Sequence, residues 1–105
     1  MDNKIVRGTT PTLTFTLPFS AEQVAAAYVS FKQKDRLVLE KAAGAAGCAC
    51  QDNQIAVTLT QEETLAFVGC CKVEMQVRVR SATGQALASK IVTAYVEDVI
   101  KNGVI

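Results

Sequence analysis

The chain has 105 residues, 50% hydrophobic and 20% charged, a composition that folds as one globular domain and excludes a disordered chain. Eleven basic residues stand against ten acidic ones, so the formal net charge of +1 supplies no basic field for a phosphate backbone, and no nucleic-acid partner is expected. No apolar run reaches the ~18 residues of a membrane span, and MDNKIVRG lacks the apolar core and cleavage site of a secretory signal. The expectation is a protein that stays in the cytoplasm where it is made, without a membrane partner, its four cysteines reduced.

Lys4 to Arg7 reads as a short edge strand interrupted by Gly8, and Thr9-Thr10-Pro11 bends the chain, because proline has no ladder donor. Thr12 to Leu17 is the first clear strand, with Leu13, Phe15 and Leu17 on one face and three threonines on the other; Pro18 ends it. Ser20-Ala21-Glu22-Gln23 has the form of a capping box with Ser20 as N-cap. A helix continuing through Val24-Ala25-Ala26-Ala27 competes with a single turn. The single turn is preferred, because Val29 and Phe31 alternate with Ser30 and Lys32. Lys34-Asp35 then turns into a strand from Arg36 to Lys41, a hairpin without the Asn-Gly or Asp-Gly signal.

Ala42 to Asn53, AAGAAGCACQDN, has no periodicity and reads as a long surface loop. Ile55, Val57 and Leu59 alternate with Ala56 and Thr58 as another half-buried strand. Thr60-Gln61-Glu62-Glu63 is a second capping box, from which Leu65 and Phe67 are expected to drop onto the core. Beyond Gly69 the alternation is strictest: Val73, Met75, Val77 and Val79 inward, and Lys72, Glu74, Gln76, Arg78 and Arg80 outward. Ala82-Thr83-Gly84 is a hairpin loop. From Gln85 to Asp98 the chain is β-rich with two competing phases, Val92, Ala94 and Val96 against Leu87, Ile91 and Tyr95, which a bulge near Ser89 would reconcile. The pattern predicts an all-β fold, an immunoglobulin-like antiparallel β-sandwich of seven to eight strands with one or two short helical turns. Residues 1–105 form one domain, the Ile55 and Val73 strands being joined by a crossover between sheets, and 99–105 form a tail. Apolar Val99, Ile100, Val104 and Ile105 suit that tail to docking or homo-oligomerisation.

Cys48, Cys50, Cys70 and Cys71 equal in number the thiols of a structural zinc site. Their spacing departs from that of paired zinc ligands, and the strand from Gln54 to Thr60 would carry the chain about 23 Å at ~3.3 Å per residue. The two pairs are therefore expected near opposite ends, and neither a metal nor another cofactor is expected. With no histidine, the usual near-neutral base is missing. Adjacent Glu62 and Glu63 do not face each other, and neither a nucleophile elbow nor a phosphate loop occurs. No enzyme and no catalytic residue is expected. The candidate interaction surface is the outward stripe Lys72, Glu74, Gln76, Arg78 and Arg80, for protein partners.

RGTTPTLTFTLPF, VSFKQ, LTQEETLAF, MQVRVR and GQALAS together resemble small uncharacterised proteins encoded in phages and prophages of Gram-positive bacteria, over nearly the whole chain. A more distant similarity is to the N-terminal immunoglobulin-like domain of phage baseplate upper proteins; the long fibre-like extension that follows that domain is not present in these 105 residues. The resemblance implies a non-catalytic structural or interaction module of a phage particle, in its tail, baseplate or elsewhere on the virion, made in the bacterial cytoplasm. The alternatives are a small soluble protein acting on a host factor and a module stabilised by cysteine-bound metal.

Overall fold

The computed structural model describes residues 4–17, 20–44 and 47–105, and among them the chain is a two-sheet all-β sandwich. In chain order the elements are β1 (Lys4–Val6), β2 (Thr12–Thr16), a 3-10 turn (Ala21–Gln23), β3 (Val24–Gln33), β4 (Arg36–Ala42), β5 (Cys48–Gln51), β6 (Gln54–Thr58), α1 (Gln61–Leu65), β7 (Cys71–Ser81), β8 (Ala86–Ala88) and β9 (Val92–Glu97). The larger sheet runs β1-β9-β7-β3-β4, with β8 continuing the β9 position along β7; the smaller runs β2-β6-β5. All pairs are antiparallel except β1 with β9, where Lys4 lies opposite Tyr95. No helix among the described residues is long and apolar enough to cross a membrane.

Alternation places the core where it was expected. Val73, Met75, Val77 and Val79 of β7, with Val29 and Phe31 of β3, face Ile55 and Val57 of β6 between the sheets. Phe67 plugs the end of the sandwich against Phe31, the ring centroids 5.9 Å apart. The crossover from β6 to β7 passes through α1, whose capping box is complete: Glu63 N donates to Thr60 Oγ1 and Thr60 N donates to Glu63 Oε1. Thr64, not Leu65, is the buried helix residue, because its hydroxyl accepts from Gly8 N and lies 2.9 Å from the Thr9 carbonyl.

Some expectations hold and others change. Val24–Ala27 is extended, so only the single turn forms ahead of it, and there Gln23 N donates to the Ser20 carbonyl. The expected strand end at Pro18 lies outside the described residues. The segment read as a loop is shorter, since β4 reaches Ala42 and Cys48–Gln51 pairs with β6 as β5, raising the strand count among the described residues to nine. The last strand does carry its bulge. Arg78 pairs Ala88 and Met75 pairs Val92, one residue out of step, so Leu87 joins Val92, Ala94 and Val96 on the inward face.

Lys34 (φ 50°) and Asp35 (φ 62°) both sit in the left-handed region, the requirement of a type I′ hairpin, which the side chains tolerate at a cost. Replacing Asp35→Gly relieves that cost; thermal unfolding should show a gain of about 0.5 kcal/mol, with Tm raised by a few degrees.

Candidate functional site

The five outward β7 residues share one face of the larger sheet, and the register shows what stands beside them. Arg78 lies opposite Tyr28 on one side and Ala88 on the other, and Arg80 lies between Ala26 and Ala86. Gln76 is opposite Ser30, which pairs with Glu40, while Glu74 is flanked by Lys32 and Thr93. Lys72 is opposite Tyr95, whose other neighbour is Lys4. Tyr28, Glu40, Tyr95 and Lys4 thus join the stripe by register between strands far apart in sequence.

The face divides into two chemically different halves. Toward α1 its charges are partly answered: Lys4 lies 3.4 Å from Glu97 and Lys32 lies 3.8 Å from Asp35. Gln76 is held by donation from Nε2 to the Ser89 carbonyl, and Ser30 Oγ donates to Glu40 at 3.2 Å. At the far end Arg78 and Arg80 have no ion pair or side-chain hydrogen bond among the described residues. They rise with the half-exposed Tyr28 from a floor of alanines and line a shallow concavity of about 450 Å³ that Ser30 and the Glu40 carboxylate also border. Guanidinium and phenol groups over small side chains combine planar donors with apolar contact area, the chemistry of protein recognition hot spots.

The cysteines fall into two separate pairs. Cys48 and Cys50 lie on β5 in the smaller sheet, whereas Cys71 opens β7 in the larger one and Cys70 directly precedes it. The expected separation toward opposite ends is corrected: β5 doubles back on β6 and sets Cys48 beside Val57, at the end of β6 that leads to α1. All four are free thiols, and among the described residues no three His, Cys, Asp or Glu side chains are grouped to hold a metal ion. Burial raises the Cys48 thiol, with the Cys50 charge adding and Lys41 opposing, and burial raises Cys50 as well. Cys70 is exposed at φ 61°, and its hydrogen bond and charge push the Tyr95 hydroxyl above its usual value.

The most buried ion pair lies behind this face. Lys41 points inward from β4, and its Nζ donates to the Thr58 carbonyl and to Glu63 Oε1, both at 2.9 Å. Burial opposes ionisation of Glu63 and is the largest influence, yet the Thr60 backbone N–H, the Lys41 hydrogen bond and charge, and the Thr60 hydroxyl together hold its carboxyl below 4.5. Gly47 completes the arrangement, since at φ +78° a Cβ there would stand 2.8 Å from the Thr58 carbonyl and 3.2 Å from Lys41 Nζ.

No family model matches this chain, and no curated protein matches it in sequence.

Because the folded carboxyl of Glu63 is depressed, its stabilisation is present above the unfolded value near 4.5 and is lost as pH falls through the lower folded value. Lys41→Met should cost about 2 kcal/mol at neutral pH and flatten the acid limb of a Tm-against-pH curve. Thiol titration gives a second check: in the native protein Cys70 should react first, and Cys48 only on unfolding.

Proposed function

We propose that this chain is a non-catalytic interaction module of immunoglobulin-like type that serves as a structural component of a phage or prophage particle. The observation that carries the interaction reading is the far end of the larger sheet, where Arg78 and Arg80, exposed and without an ion pair among the described residues, stand beside half-exposed Tyr28 on the central pair of strands. The cost of ordering such donors is low, because Arg78 and Arg80 are each paired on both sides, with β3 and with β8. Support for the immunoglobulin-like class comes from strand order. Reading β2, β3, β4, β5, β6, β7 and β9 as B, C, C′, D, E, F and G, the sheets are G-F-C-C′ against B-E-D, with α1 at the E–F corner. The particle assignment follows the phage-protein resemblance of RGTTPTLTFTLPF, LTQEETLAF and MQVRVR. On this reading the protein is made in the bacterial cytoplasm and carried in the tail, baseplate or another part of the virion.

Arg78→Glu with Arg80→Glu should leave Tm within a few degrees of the parent, since both side chains are exposed. The same pair should lower recovery of virion proteins on a tagged chain by at least about tenfold, as the loss of ~1.4 kcal/mol or more would give. Unchanged recovery would sink the assignment of this face. Recovery of host proteins in place of virion proteins would instead favour action on a host factor.

A further inference from the structure

The strands that end a sheet are unequally protected. β4 carries Arg36 and Glu40, a register shift beside Phe31, and the inward-pointing charge of Lys41. β1 is three residues long and bears Lys4; β8 is equally short and runs into the bulge before β9. On β5 the Cys48 carbonyl already accepts from Gly44 N. These features are the usual devices against edge-to-edge association. β2, TLTFT, has none of them: no charge, no proline, no glycine and a continuous register with β6.

Its hydrogen-bonding phase is fixed by its two ends. Leu17 N donates to the Asn53 carbonyl and Leu59 N donates to the Pro11 carbonyl, so Leu13 and Phe15 are the residues that exchange bonds with β6. The N–H and C=O groups of Thr12, Thr14 and Thr16 consequently point away from the sheet, and they have no backbone partner among the described residues. On the inward face Leu13 and Phe15 are only partly buried against the core. An apolar cleft of about 360 Å³ between Leu17 and Leu87 opens beside the end of the same strand.

We propose that β2 is the seam of a symmetric dimer, its occupant the β2 of a second copy of this chain. The strand is a near-palindrome about Thr14, so antiparallel pairing on a two-fold axis sets Thr14 against the partner's Thr14 and Thr12 against the partner's Thr16. Three residue pairs then exchange about six main-chain hydrogen bonds, and the two smaller sheets become one continuous sheet. Leu13 meets the partner's Phe15 on the inward side, at the close spacing of about 4.5 Å between Cα atoms of a non-hydrogen-bonded pair. This covers both half-buried side chains. Electrostatics permits the approach, because Thr12, Thr14, Thr16, Gln54, Ala56 and Thr58 on the outer side of β2 and β6 carry no charge to repel a copy. The seam is independent of the Arg78 and Arg80 face and of any role in a particle.

Sedimentation of the full chain over a concentration series tests the seam. The parent should be a dimer at micromolar concentration and dissociate on dilution. Thr14→Pro removes an outward N–H that β6 does not use, and Thr14→Lys sets two like charges together at the axis. Each should raise the dimer Kd at least about tenfold while Tm and the circular dichroism spectrum stay near the parent's. If the proline variant does not fold, the lysine variant carries the test. Hydrogen exchange at Thr12, Thr14 and Thr16 should be slow in the dimer and fast after dilution. A parent that is monomeric up to millimolar concentration overturns the proposal. So does a dimer that tolerates Thr14→Lys or is lost through Arg78→Glu alone.

Discussion

The contact between Lys41 and Glu63 is the constraint on which the rest of the sandwich depends. One ammonium joins β4 at the edge of the larger sheet to the last carbonyl of β6 in the smaller sheet and to the first turn of α1. A five-residue helix has no stability of its own, since nucleation costs more than one turn returns. It is held instead from every side: Glu63 by Lys41, Thr64 by the main chain at Gly8 and Thr9, and the Leu65 carbonyl by Arg7 Nη2. Only with that corner in place can Phe67 enter the end of the core. Gln33 then clamps the following loop, donating to the Val68 carbonyl and accepting from Val68 N.

The two outer faces of the sandwich divide the chemistry between them. Among the outward residues of β3, β4 and β7, the larger sheet presents Lys32, Glu40, Lys72, Glu74, Arg78 and Arg80. Outward on the smaller sheet are threonine, alanine and glutamine, as at Thr14, Ala56 and Gln51. A charged face confers solubility and selects partners through complementarity. An uncharged face with an open backbone edge recognises main chain, and its selectivity comes from register. The same fold therefore exposes two chemically different surfaces.

What was legible in the sequence follows what alternation can report. The strict period of Lys72 to Arg80 gave the inward and outward sets of β7 correctly, because a strand buried on one face alternates in polarity. β5 carries no such signal, since CACQ is short, small and bounded by glycine and turn residues, leaving hydrophobicity nothing to mark. Lys41, the last residue of the expected Arg36 to Lys41 strand, lies opposite Val29 on the inner face. Its signal was phase, Lys41 standing two residues after inward Leu39, and charge concealed it. The candidate face was legible only along β7. Tyr28 and Glu40 reach it through pairings between strands, which no local pattern encodes.

Edge and face are also compatible in space. A two-fold axis perpendicular to a sheet keeps the inner faces of both copies on the same side, as the meeting of Leu13 with the partner's Phe15 requires. Both larger sheets would then lie on one side of the continuous smaller sheet, with their Arg78, Arg80 and Tyr28 clusters facing the same way. Two weak sites held in that relation engage a repeating target with an effective concentration set by the dimer, so avidity can exceed either single affinity by ~10²-fold or more. A symmetric particle surface is a repeating target of that kind. An exposed arginine pair of modest affinity would thus suffice for stable attachment, without the large apolar interface that a single site of equal strength would need.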